Sequence, residues 1–299
     1  MNTTSERPAA DMPQAESSHA DLSLTELMQV TPTDNADVFA AKTETYGPVG
    51  IYGGHFLGQA MAAGLATVEE HKLAHSYHAY FLRAGDPNLA LHYEVTRLRE
   101  SRHGDTRAIT AVQDEHKVFH MVASFKTAES GDEHQPQAPV IEPPEAVIAA
   151  REERGESPFP FPVVQAGRVQ MEWASPSFFE FDRNAPPALR LWMRVAPPSK
   201  TLTPRERQIA MAYLSDGPLM FNSVLPHGIP FQSHRLTSLD QSAWLHRDAD
   251  PFQWMIFDQR STAATAGRGM NEGQIYSQDG RLLMTCAQES MLRTIVPSS

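Results

Sequence analysis

One cysteine, Cys286, stands among 299 residues. An intramolecular disulfide is therefore excluded, and the chain suits a reducing compartment. No apolar run approaches the roughly 20 residues a membrane-spanning helix needs, so membrane insertion is not expected. Residues 1–22 hold no apolar signal region, and the final Val-Pro-Ser-Ser is not a peroxisomal tripeptide. Together these point to the cytoplasm. Positive charge is scarce: 25 Lys and Arg stand against 36 Asp and Glu, a net charge of −11. With no basic stretch to offset it, a nucleic-acid partner is not expected. The G-x-S-x-G elbow of serine α/β-hydrolases is also missing. His75-x-x-His78 lacks further ligands at a convincing spacing, so no metal is expected there. No cofactor is called for.

What the chain does have is an ordinary globular composition, 41% hydrophobic and 20% charged, enough to bury a sizeable core. Its most regular stretch is GGHFLGQAMAAGLATVEE, residues 53–70. Phe56, Leu57, Ala60, Met61, Gly64, Leu65 and Val68 recur at helical spacing. Alanine and glycine make this face small, so a second layer can approach the helix backbone closely. Strands are expected over Ser76–Arg83, Leu89–Glu100, Thr106–Gln113 and Val118–Phe125, the last two joined by a turn at Asp114–Lys117. Residues 127–165 are rich in Pro and Glu, with one helix near Pro144–Arg154. The second half offers strands at Val169–Ala174 and Leu189–Val195, then a helix from Pro204 to Leu214 after an N-cap at Thr203. Four further strands follow in 239–247, 252–262, 270–277 and 281–289.

The halves repeat. Residues 75–125 align with 239–289 without a gap, at an offset of about 164. Ala79, Arg83, Asp86 and Pro87 meet Ala243, Arg247, Asp250 and Pro251, and Tyr80 meets Trp244. The division expected is a disordered tail (1–22), a first unit (23–127), a linker (128–165) and a second unit (166–299).

Six stretches together resemble the acyl-CoA thioesterase II family: GGHFLGQAM (53–61), HSYHAYFLRAGD (75–86), AYLSD (212–216), LDQSAWLHR (239–247), STAATAGRG (261–269) and QIYSQDGRLLMTCAQESMLR (274–293). The resemblance implies an α+β double hotdog fold, two tandem units each with an antiparallel sheet wrapped around a central helix. It implies hydrolysis of fatty acyl-CoA to free acid and CoA, and assembly as a homo-oligomer, a dimer or tetramer. It further implies an Asp–Thr–Gln set that activates water, placed here on Asp240, Thr262 and Gln288.

These residues can supply that chemistry. A carboxylate takes a proton from water, while a hydroxyl and an amide position it. The repeat pairs Asp240, Thr262 and Gln288 with Ser76, Leu98 and Ser124, so one site per chain is expected. Gly54 and His55, opening the first helix, are the expected backbone donors to an oxyanion. Arg268 is a possible contact for a CoA phosphate. Cys286, in an apolar run, reads as a core residue rather than a nucleophile. Asp240 and His246 would lie roughly 20 Å apart on one strand, too far for an acid–base dyad. Two rival readings are a hotdog enoyl-CoA hydratase or dehydratase and a non-catalytic acyl-CoA binding protein.

Overall fold

The computed structural model describes residues 22–45, 50–157, 161–175, 177, 179–196 and 201–296. Residues 1–21 of the expected tail (1–22) lie outside them.

The first unit runs α1 (Leu24–Leu27), β1 (Val30–Pro32), β2 (Val38–Ala41), α2 (Gly53–Leu65), β3 (Lys72–Phe81), β4 (Leu91–Arg99), β5 (Gly104–Gln113) and β6 (His116–Thr127). Helices α3 (Pro144–Glu153) and α4 (Pro162–Gln165) follow. The second unit runs β7 (Val169–Trp173), β8 (Ala188–Val195), α5 (Pro204–Leu214), a 3-10 turn (Pro218–Val224), β9 (His234–Ser238), β10 (Asp240–Leu245), β11 (Met255–Thr265), β12 (Arg268–Ser277) and β13 (Leu282–Thr294).

The strands form one continuous antiparallel sheet in the order β1-β2-β4-β5-β6-β3-β10-β13-β12-β11-β8-β7, with β9 beside β13. The two units join where β3 pairs with β10. The β5–β6 hairpin closes on Asp114 and Glu115, both at positive φ. This is the turn geometry that matches strand twist.

Helix α2 is buried on every side, not along one face; Gly53 alone is partly exposed. One side packs on β3–β6 of its own unit and another on α5 of the second. Its small residues serve both neighbours. A side-chain carbon on Gly64 would lie 2.9 Å from the Phe125 ring, on the sheet side. One on Gly58 would run into Met28 and stand 3.5 Å from the Ile209 carbonyl, on the helix side. Fully buried Leu57 and Met61 fill the remaining space, each contributing about 1.5–3 kcal/mol of apolar burial.

Helix α5 starts as its sequence demands. Thr203 and Glu206 form a capping box, with Pro204 in the first turn. Its Arg205 then reaches across and donates to the carbonyls of Leu65 (2.7 Å), Val68 (3.2 Å) and Glu70 (3.2 Å). Those carbonyls lie at the end of α2 and in the turn that follows it. The helices are therefore locked together across the units.

The second unit carries its helical segment in two consecutive pieces, α5 and the 3-10 turn. Its sheet cradles the short 3-10 turn, which packs against β9, β11, β12 and β13. The longer α5 lies outside that cradle, against α2.

Candidate active site

Asp216 lies between the end of α5 and the 3-10 turn, 6% exposed. Its Oδ1 accepts from Gln288 Nε2 at 2.6 Å. The backbone N–H of Gly54, in the first turn of α2, also donates to this carboxylate. Burial pushes its pKa up from 3.8 to about 7, and the Gln288 and Gly54 donors only partly oppose that rise. A carboxylate poised near neutrality suits proton transfer to and from water.

The glycine pair is what lets the carboxylate approach. A side-chain carbon on Gly53 would collide with Asp216 Oδ2 and stand 2.9 Å from the Phe81 ring. One on Gly54 would strike the Tyr213 carbonyl and the Tyr52 ring. The helix opening thus serves the carboxylate in the free protein, as the positive end of the helix dipole favours.

Behind Gln288 lies a buried polar network drawn from both units. Gln288 Nε2 also donates to Gln241 Oε1 at 3.0 Å. Gln241 Nε2 donates to Tyr77 Oη (3.1 Å) and Ser215 Oγ (2.7 Å). The Tyr77 hydroxyl donates to Ser215 Oγ at 2.7 Å, and Ser215 in turn to the Ala212 carbonyl at 2.7 Å. Asp216 requires an N–H from Gln288, and this sets every amide orientation in the chain. Both Gln288 N–H groups are then engaged. Its Oε1, fully buried, has no hydrogen-bond partner among the described residues.

Strand alternation decides the fate of the expected trio. Gln241 and Ala243 of β10 point into the core, so Asp240 points to the outer face. There its Oδ1 accepts from the Glu289 backbone N–H at 2.9 Å. Thr262 is exposed, at a bulge between Ser261 and Ala263. Among the described residues no hydrogen bond joins Asp240 or Thr262 to Gln288. Of the trio, Gln288 alone meets the buried carboxylate. Gly54 reaches it too. His55 does not: its N–H donates to Tyr52 O at 3.0 Å, and its Nε2 lies 2.8 Å from the Lys42 carbonyl. Arg268 pairs with Glu289 at 3.2 Å on the outer face.

Asp216 is not among the site residues expected from sequence. It closes AYLSD (212–216), one of the stretches that carries the family resemblance, and is the lone charged residue of a largely apolar run, 208–226. A lone acid in such a run is a signal of burial with a purpose. Ser238 is likewise not among the expected residues. It is the cross-strand partner of Ser290, which shares a face with Gln288 two residues earlier. Ser238 thus offers a half-buried hydroxyl on the inner face.

Cys286 is fully buried, 3.6 Å from the Gly273 carbonyl, and burial drives its thiol pKa upward. This is a core residue. His75 and His246 bond to the hydroxyls of Ser124 (3.0 Å) and Thr285 (2.9 Å). No cluster of His, Cys, Asp and Glu among the described residues could hold a metal ion.

Two sheets, each around a helical segment and joined edge to edge, with a buried carboxylate at a helix opening, define a double hotdog protein. Family profiles described as "Acyl-CoA thioesterase N-terminal domain" and "Acyl-CoA thioesterase C-terminal domain" match residues 42–126 and 143–292. The chain belongs to the acyl-CoA thioesterase family, and its activity is acyl-CoA thioester hydrolysis. Human acyl-coenzyme A thioesterase 8 is 29% identical over 90% of this chain and 88% of its own. Acyl-CoA thioesterase 2 of Haemophilus influenzae is 29% identical over 86% and 92%. The crystal structure of acyl-CoA thioesterase II TesB2 from Mycobacterium marinum superimposes with a TM-score of 0.75 at 26% identity, covering 92% of this chain and 98% of that one.

Proposed function

We propose that this thioesterase hydrolyses fatty acyl-CoA by direct attack of water, with Asp216 as the general base. The observation that carries the reading is the buried Asp216 carboxylate, held 2.6 Å from Gln288 Nε2 at the opening of α2. Gln288 Oε1 and the Ser238 hydroxyl orient the water. Asp216 takes one proton as the water oxygen bonds to the thioester carbon, giving a tetrahedral oxyanion. Collapse of that intermediate breaks the carbon–sulfur bond, and Asp216 returns the proton to the departing CoA thiolate. As the carboxylate is neutralised, the Gly54 N–H and the Gln288 amide become available to the oxyanion. In this reading Asp216 and Ser238 take the roles expected of Asp240 and Thr262.

Release of free thiol from acyl-CoA tests it. Asp216→Asn should lower turnover on the order of 10²–10⁴-fold, the range for a lost acid–base group. Asp240→Asn should keep turnover within about a factor of three, as a surface change does. The opposite pattern would return the role to Asp240. Action in the cytoplasm and assembly into a homo-oligomer belong to the same reading; sedimentation of the purified chain tests the latter.

A further inference from the structure

Three buried amides lie beside Gln288 and take no part in the hydrolysis. Asn222 belongs to the 3-10 turn, Gln259 to β11 and Asn271 to β12; none is more than 1% exposed. They share the inner layer of the second unit. Asn271 is the cross-strand partner of Gln288, so the two side chains sit side by side. Gln259 lies one strand further over, diagonal to Asn271 through the pairs Gln259–Gly273 and Ser261–Asn271. Asn222 faces them from the 3-10 turn and donates to Gln259 Oε1 at 3.0 Å.

Each amide leaves one polar atom without a partner among the described residues: Asn222 Oδ1, Asn271 Oδ1 and Gln259 Nε2. With Gln288 Oε1 this makes three acceptors and one donor in one layer. A buried polar atom with no partner destabilises the fold. Packing alone therefore gives no reason for the cluster. The first unit supplies the contrast. At the repeat positions of Gln259 and Asn271 stand Val95 and Arg107. Arg107 is just as buried, yet every guanidinium nitrogen is bonded, to Thr67, Arg99, Thr106 and Glu100. The polar layer of the second unit is left open and belongs to the unit that holds Asp216.

We propose that this layer binds a hydroxyl group on the acyl chain, so that the preferred substrates are hydroxyacyl-CoA thioesters. A hydroxyl both donates and accepts, which matches an open donor beside open acceptors. Adjacent strands are about 4.8 Å apart, which puts Asn271 and Gln259 one and two strand spacings from Gln288. The hydroxyl therefore sits on one of the first few carbons beyond the thioester carbonyl. A plain hydrocarbon at this place would leave those polar atoms unpaired.

The inference rests on the thioesterase reading of this site. The test compares kcat/KM for saturated acyl-CoAs with their β- and δ-hydroxy counterparts of equal length. Wild type should prefer a hydroxyacyl-CoA by about tenfold or more, the discrimination expected where a site bonds a substrate hydroxyl. Gln259→Leu and Asn271→Val should abolish that preference while still hydrolysing the saturated thioester. Equal rates in wild type, with hydrolysis still dependent on Asp216, would overturn this inference and spare the thioesterase reading. No hydrolysis of any acyl-CoA by folded protein would overturn both. The wild-type comparison decides the matter even if a variant fails to fold.

Discussion

Gln241 donates a 3.1 Å hydrogen bond to the hydroxyl of Tyr77, and the two residues occupy the same position of the repeat, 164 apart. One residue along, His78 and Ser242 repeat the relationship on the outer face. They too are 164 apart, cross-strand partners on β3 and β10, and joined by a 2.8 Å bond. A pseudo-twofold axis therefore passes through the β3–β10 seam. This explains why the opening of a first-unit helix meets a second-unit carboxylate. The axis brings the two units together back to back at one edge, and α2 and α5 close over it.

The seam is also where Gln288 is held. Replacing Gln241 by Leu removes the acceptor at 3.0 Å from Gln288 Nε2, leaves the Tyr77 hydroxyl without its donor and removes one of two donors to Ser215. The expected result is a fall in kcat, on the order of tenfold or more, with a smaller change in KM. The loss of buried partners should destabilise the fold by about 1–3 kcal/mol. Steady-state kinetics and thermal melting check the two parts. An unchanged kcat would mean that Gln288 needs no such support.

With Asp216 as the proposed base, its titration should set the pH dependence of the rate. Its pKa in the fold is about 7, and the base must be ionised. kcat/KM should therefore rise with pH through about 7 and level off above it. A profile that is flat from pH 5 to 9 would remove Asp216 as the base.

The raised pKa also has a cost in stability, and its sign is definite. The folded state holds a proton on Asp216 up to about pH 7, whereas an exposed carboxyl loses it near 3.8. Between those values the folded state binds more protons than the unfolded one, so stability falls as pH rises and is then constant. Asp216→Asn removes this penalty. It should raise the melting temperature at pH 8 relative to wild type and change it little at pH 4, while lowering turnover as above. The gain at high pH is of order 1–4 kcal/mol, since each tenfold change in proton affinity corresponds to about 1.4 kcal/mol.

Gly54→Ala should damage both fold and site. The added carbon would strike the Tyr213 carbonyl, which is backbone and cannot swing aside. A loss of about 2–4 kcal/mol is expected from overpacking between α2 and α5, with activity falling further than folded fraction. Gly131→Ala is the control, because nothing lies within 4 Å of its added carbon. Its melting temperature should match wild type.

Cys286 should be inert. With the thiol fully buried and its pKa raised, the native protein should not react with a thiol reagent until unfolded. Alkylation followed by mass spectrometry checks this.

Much of the architecture was legible without coordinates. The helix opening at Gly53, the start of α5 at Pro204 and most strands of the repeat follow from local chemistry: capping residues, spacing of three and four, and alternation. So did the crossing of a first-unit helix to a second-unit site, because a polar set in one copy only calls for a donor from the other. The particular acid was not legible. Asp240 and Asp216 are both single acids in motif stretches, and alternation along β10 settles a side chain's face only once the strand's pairing is known. Thr262 is expected by resemblance to hold the water, yet it stands exposed at a bulge.

Sequence alone therefore determined two repeated units and the small-faced helix with its glycine pair. Those depend on contacts near in the chain or on the period of the repeat. Tertiary structure decided that Asp216 stands against that glycine pair, that α5 packs on α2 across the units, and that three amides gather beside Gln288. Each brings together residues far apart in sequence. The distances that decide them are set by how sheet and helices close on one another, and no local pattern records that.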